Sequence, residues 1–99
     1  MTGEANRPHR VVWSVRSRRD IEGIYAYIAQ VAPLAARRFA PRLIAAVESL
    51  ADHPLRGRTL YGEVREMVAI RPYVVRYRVR GRAVQIIRIK HGAQEPDDT

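Results

Sequence analysis

Residues 73–90 read YVVRYRVRGRAVQIIRIK, and this stretch decides the architecture. From Tyr73 to Arg80 the residues alternate: Val75, Tyr77 and Val79 point one way, Arg76, Arg78 and Arg80 the other. Period-two alternation of that kind predicts a strand with one buried and one wet face. Gly81-Arg82 then predicts a tight hairpin turn, with glycine first as a type II′ turn requires. Ala83 to Lys90 is the returning strand. Its apolar residues Val84, Ile86, Ile87 and Ile89 change parity midway, so either a bulge lies near Ile87–Arg88 or both faces are covered. A bulge is the preferred reading, because short antiparallel sheets usually keep one wet face.

A sheet with one apolar face needs a second layer. Upstream, Val64, Val68 and Ile70 alternate with Arg65, Met67 and Ala69, predicting a further strand that Pro72 breaks. Arg10 to Val15, RVVWSV, predicts a short first strand. Between these strands lie two helical patterns. Ile21, Ile24, Tyr25 and Ile28 recur at helical spacing up to about Val31, with Ser17 as the expected N-cap and Asp20 at capping-box distance. Phe39, Leu43, Val47 and Leu50 mark a second helix, from Pro33 to about Asp52. Pro41 lies inside it and costs about 3 kcal/mol, so a kink is expected near Arg37–Pro41. The short link between the helices forces an antiparallel hairpin. His53-Pro54 stops the second helix, and the stretch to Leu60 reads as a loop with Gly57 as its turn residue. The expected fold is therefore α+β, in the order β-α-α-β-β-β, with a helical hairpin on one face of a small antiparallel sheet.

The chain has 99 residues, enough for one domain. Residues 1–9 read as a flexible lead-in, 10–92 as the domain, and 93–99 as an acidic tail carrying Glu95, Asp97 and Asp98. There are 18 basic and 10 acidic residues, a formal charge of +8, and the only lysine is Lys90. From Val64 to Gly92 there are eight basic residues and one acid, Glu66. A codon bias toward arginine explains the number of arginines better than their position. Arginine forks grip carboxylates and phosphates in pairs, which suits a nucleic acid or an acidic protein surface.

The chain has no cysteine, so disulfides and thiolate metal sites are excluded. No stretch has the length of a membrane span, and the N-terminus lacks the apolar core of a secretory signal, so a cytoplasmic protein without membrane contact is expected. Phosphate loops and HExxH motifs are absent, and Ser14, Ser17 and Ser49 lie outside any nucleophile-elbow context. His9, His53 and His91 are too scattered for a metal site, so neither metal nor cofactor is expected.

His91 is the one candidate for general acid–base chemistry, the alternative being a strand-end histidine bonded to backbone. Arg76, Arg78 and Arg80 stand about 7 Å apart along one strand face, a spacing that suits either phosphates or acidic side chains. Tyr77 and Trp13 read as core, and Tyr73 as partly exposed. Glu63 and Glu66 are expected on opposite faces of their strand, with Glu66 paired to Arg71 or Arg78.

Several pieces, in order, carry a family resemblance. Ser17-Arg18-Arg19-Asp20-Ile21 is followed by Ile24-Tyr25-Ala26-Tyr27-Ile28-Ala29, then by Ala35-Ala36-Arg37-Arg38-Phe39. Leu50-Ala51-Asp52-His53-Pro54, Gly57-Arg58 and Arg65-Glu66 come next. The last two pieces are Pro72 to Val79 and Val84 to Gly92. In this order, from Val11 to Gly92, the chain resembles ParE-type toxins of the ParE/RelE toxin–antitoxin superfamily. Pro41 and the acidic stretch after Gly92 depart from the family pattern.

The resemblance implies a toxin of a type II toxin–antitoxin system, wrapped by the C-terminal segment of a ParD-like antitoxin and reaching operator DNA only through it. ParE-type members act on DNA gyrase without chemistry of their own; RelE-type members cut mRNA on the ribosome. RelE-like ribonucleases carry arginine three residues before the strand tyrosine, where this chain has Val74, and an arginine there stabilises charge on the scissile phosphate. The implied reading is a non-catalytic gyrase inhibitor. The alternatives are an mRNA endonuclease using Arg65, Arg76 and His91, and a toxin-fold corepressor without toxicity. The antitoxin is expected to meet Ile24, Tyr25, Ile28, Phe39, Leu43, Arg76, Arg78 and Arg80, and the target to meet Arg65, Arg88, Lys90 and His91.

Overall fold

A computed structural model describes residues 8–92. The lead-in up to residue 7 and the tail 93–99 lie outside the described residues. Strand β1 is Arg10–Trp13, followed by helix α1, Val15–Val31, and helix α2, Pro33–Glu48. A 3-10 turn, Ser49–Ala51, extends α2. Strands β2 (Arg58–Tyr61), β3 (Val64–Ile70), β4 (Tyr73–Arg80) and β5 (Ala83–His91) complete the fold. The sheet order is β1-β5-β4-β3-β2. It is the expected α+β arrangement of a helical hairpin on one sheet face, with two refinements. The sheet is mixed, because β1 runs parallel to β5. It also has a fifth strand, β2, where a loop was expected. That strand is four residues long and mostly exposed, so it offers no apolar alternation to read.

Helix α1 starts earlier than expected. The cap is Ser14, whose Oγ accepts from the Ser17 N–H at 2.9 Å. Ser17 is the capped residue, and its own hydroxyl donates to the Ser14 carbonyl. Both serines suit an N-cap by composition. Strand pairing selects Ser14: β1 ends at Trp13, and the Ser14 N–H donates to the Ile86 carbonyl at 3.1 Å. One residue, Ala32, links the helices, and Pro33 opens α2 at a position where its missing N–H costs nothing. Pro41 lies within α2 without ending it.

The bulge in β5 lies where the parity change put it. Arg76 faces Arg88 and Tyr77 faces Ile86, leaving Ile87 as the extra residue. The shift lets Val84 and Ile86 before it, and Ile89 after it, all point inward. Gly81 has the positive φ that the hairpin turn demands. Strand β3 corrects an expectation: Met67 is the buried residue, whereas Val68 points outward at 57% exposure. A register shift between Val68 and Ile70 then returns Ile70 to the core. The core joins Leu43, Val47 and Leu50 on the helical side to Met67, Val75, Tyr77, Val84, Ile86 and Ile89 on the sheet. Each such side chain contributes about 1.5–3 kcal/mol through burial.

Candidate functional site

The outer sheet face, away from the helices, is a network of paired charges. Glu66 on β3 accepts from Arg58 Nη2 at 2.9 Å and from Arg76 Nε at 3.1 Å. Arg76 faces Arg88 across the β4–β5 ladder. Two guanidinium groups side by side repel, and each is balanced from its far side. Arg88 Nε donates to Asp20 at 3.0 Å, and Arg16 adds a longer contact to the same carboxylate at 3.5 Å. Arg78 donates to the side-chain oxygen of Gln85 at 2.8 Å, and Arg80 to Glu63 at 3.0 Å. The partners of Glu66 are thus Arg58 and Arg76, not Arg71 or Arg78. Glu63 and Glu66 both serve the outer face, contrary to expectation, because Glu63 sits in the turn between β2 and β3, where strand parity does not apply.

The second feature is a cleft of about 510 Å³ between α1 and the ends of β4 and β5. Ile24 and Tyr27 line it from the helix, and Tyr73 and His91 from the sheet. The Tyr73 ring stands edge-on to Phe39 at 5.2 Å and to His91 at 5.4 Å, forming an aromatic column between α2 and β5. Burial raises the Tyr73 pKa above the ordinary tyrosine value, and the neighbouring Tyr27 adds to the rise. His91 Nδ1 is buried and has no hydrogen-bond partner among the described residues.

The floor of the cleft depends on Asp20. Pairing of β1 with β5 stops at Ile86, which leaves the rest of that β5 edge without a strand. Side chains from the start of α1 take over. Ser14 Oγ donates to the Ile87 carbonyl at 3.1 Å, and Asp20 accepts the Ile89 N–H at 2.8 Å. Asp20 is therefore no capping residue. It ties α1 to the edge of β5 and turns Arg88 toward the helix. Sequence reasoning missed this role; the parity break at Ile87 was the available signal, since a bulge frees backbone groups that need partners.

The residues singled out for catalysis are not brought together. Arg65 lies on the helix side of the sheet, opposite Tyr77, and donates to the Gly57 carbonyl at 2.7 Å. Arg76 lies on the outer face, and His91 faces Tyr73 at the far end of β4, about 13 Å along the strand from Tyr77. Of the residues expected to meet an antitoxin, Leu43 is fully buried and belongs to the core. Tyr25 is exposed, and Ile24, Ile28 and Phe39 are half-buried. Trp13 is also half-buried, with its indole N–H on Glu48 at 3.0 Å. Of the residues expected to meet the target, Lys90 is buried at 4% exposure and Arg88 is held by Asp20. No group of three or more histidine, aspartate or glutamate side chains able to hold a metal occurs among the described residues. No helix among them is long and apolar enough to cross a membrane.

A helical hairpin on a bulged, arginine-faced sheet is a known architecture. The toxin–antitoxin system ParDE of Pseudomonas aeruginosa contains a chain that superposes with a TM-score of 0.76 at 23% identity, over 84% of this chain and 95% of that one. The RelBE2 toxin–antitoxin complex of Mycobacterium tuberculosis contains another, with a TM-score of 0.56 at 22% identity, over 85% and 98%. These likenesses define the fold as that of toxin–antitoxin toxins. The family follows from sequence. Residues 11–96 match the model of the ParE toxin of type II toxin–antitoxin systems, parDE, and the chain belongs to that family. Among curated relatives, toxin RelE2 of Caulobacter vibrioides is 47% identical over 86% of this chain and 97% of its own length. Toxin RelE1 of the same organism is 38% identical over 86% and 95%.

Proposed function

We propose that this type II toxin acts as a non-catalytic inhibitor of DNA gyrase and is held inactive by a ParD-like antitoxin. The observation that carries the reading is the dispersal of Arg65, Arg76 and His91 over two faces and two ends of the sheet. Phosphodiester cleavage needs an acid–base group and a charge-stabilising cation within reach of one phosphate. Here Arg65 is spent on a backbone carbonyl, Arg76 is held by Glu66, and Val74 stands where a ribonuclease relative would carry arginine. The cleft and the exposed apolar residues of the hairpin, Tyr27, Val31 and Leu34, offer an antitoxin segment a surface to cover.

The names of the Caulobacter relatives favour a second reading, ribosome-dependent mRNA cleavage. One pair of assays separates the two. Purified toxin is added to a gyrase supercoiling reaction and to translating ribosomes. Loss of supercoiling, restored by the antitoxin, with mRNA left intact, is the expected result. Ribosomal mRNA cleavage that disappears in His91→Ala, with supercoiling unaffected, overturns the proposal.

A further inference from the structure

Strand β1 stops at Trp13, opposite Ile86, and the edge of β5 beyond it has no strand. The cleft of about 510 Å³ runs along this edge: the consecutive residues 88–91 of β5 line one wall, and α1 lines the other. Side chains alternate in a strand, so a wall of consecutive residues presents backbone as well as side chains. Two side chains already do here what the backbone of a neighbouring strand does. Ser14 Oγ donates to the Ile87 carbonyl at 3.1 Å, and Asp20 accepts the Ile89 N–H at 2.8 Å. The Gly92 N–H, in the opposite phase, goes to the Pro72 carbonyl on the other side of β5. The Ile89 carbonyl and the His91 N–H therefore point the same way as the Ile89 N–H, along the wall of the cleft.

Helix α1 contributes a notch. Arg19, Gly23 and Tyr27 follow at intervals of four, all exposed, and form the rim. Glycine inside a helix is less stable than alanine, and packing does not require it here: a Cβ at position 23 would meet no atom within 4 Å. What glycine provides is the close approach of another backbone. The walls define what fits. Asp20 is the only acid lining the cleft among the described residues, and it is shared by Arg16 and Arg88, so with Arg19 on the rim this end is basic. At the other end Ile24, Tyr27 and Tyr73 form an apolar wall, with Tyr27 68% exposed.

We propose that the cleft takes an extended acidic segment of the antitoxin, added to the β5 edge in line with β1. Its backbone pairs with residues 89–91 and passes over Gly23. A carboxylate of the segment meets Arg19 and Arg88, and an apolar side chain lies against Tyr27 and Tyr73. Strand addition at an open edge supplies backbone hydrogen bonds, and the flanking side chains supply selectivity. The inference rests on the antitoxin half of the function proposed above and is independent of the gyrase half.

The test uses the full chain and the antitoxin encoded with it, with affinity read by titration calorimetry. Gly23→Ala and Gly23→Leu place a methyl and then a larger side chain in open space, and thermal melts are expected to show both at least as stable as the natural chain. Gly23→Leu is expected to weaken antitoxin binding about 30-fold or more, and Gly23→Ala less. Arg19→Ala is expected to weaken it about tenfold, with a smaller effect at high salt. Equal affinity for the natural chain and Gly23→Leu overturns the proposal and leaves the antitoxin reading intact; no binding by the natural chain overturns both. Hydrogen exchange is a second readout that needs no variant. The His91 amide is expected to exchange at least about tenfold more slowly in the complex. An unchanged rate in the complex overturns the proposal. So does slowing in the toxin alone as its concentration rises, which makes a second copy the occupant.

Discussion

The inner face of the sheet is held by apolar burial and the outer face by paired charges. On the inner face Val75, Tyr77, Val84, Ile86 and Ile89 are exposed by 2% or less and interlock with Leu43, Val47 and Leu50. On the outer face the same strands present arginines, met by carboxylates or an amide from a neighbouring strand, from the β2–β3 turn or from α1. The difference matters because the two kinds of contact respond differently to loss. Removing apolar volume leaves a cavity that the fold cannot close. Removing an exposed ion pair returns both charges to water at little cost. The inner face therefore carries most of the stability, and the rim of the outer face, where the Arg80–Glu63 pair is exposed, carries charge at small energetic cost, whereas the Arg76–Glu66 and Arg88–Asp20 pairs, with side chains no more than 22% exposed, are costly to break from one side.

Leu43→Ala is the most severe way to break the comparison. It truncates a fully buried side chain at the helix–sheet junction and is expected to cost about 2–5 kcal/mol in denaturant unfolding. A loss below 1 kcal/mol would mean that the two layers are not locked by this contact.

Tyr77 sharpens it, being a polar group on the apolar side. Its hydroxyl accepts the Gly57 N–H at 2.8 Å, and a Cβ on Gly57 would come within 2.7 Å of that oxygen. Tyr77→Phe leaves a buried N–H without its partner and is expected to cost about 1–3 kcal/mol. The variant also tests a pH effect. Burial raises the Tyr77 pKa above 10.0, although the Gly57 N–H and the charges of Arg65 and Arg56 pull it down. The folded state thus keeps its proton longer than the unfolded chain. This contribution is complete below pH 10 and is lost as pH rises through the folded value. Thermal melts of the natural protein should fall more steeply above that pH than melts of Tyr77→Phe, and parallel curves would contradict the assignment.

The smallest effect belongs to the outer rim. The side chains of Arg80 and Glu63 are 52% and 64% exposed. Arg80→Ala is expected to change stability by no more than about 0.5 kcal/mol, less still at high salt. A loss comparable to that of Leu43→Ala would remove the distinction between the faces.

Much of this was legible in residues 73–90. Alternation alone assigned Val75, Tyr77 and Val79 inward and the arginines outward, and the parity change located the bulge at Ile87. These features are local: side-chain direction repeats every two residues in a strand, so sequence distance stands in for geometry. The helical hairpin and the turn at Gly81 were readable for the same reason. Three kinds of feature were not. Strand β2 is too short and too exposed to carry a pattern, and it exists because β3 offers it an edge. Ser14 prevailed over Ser17 as the cap because a strand 73 residues away holds its hydroxyl. Asp20 became the clamp on β5 only because β1 stops short at Ile86. The sequence by itself determined the layers, the faces of β4 and β5 and the family, but not the face of β3, where Met67 and not Val68 points inward. Tertiary structure alone decided which charges meet, since an ion pair depends on the register of neighbouring strands, and nothing within one strand records its neighbour's register.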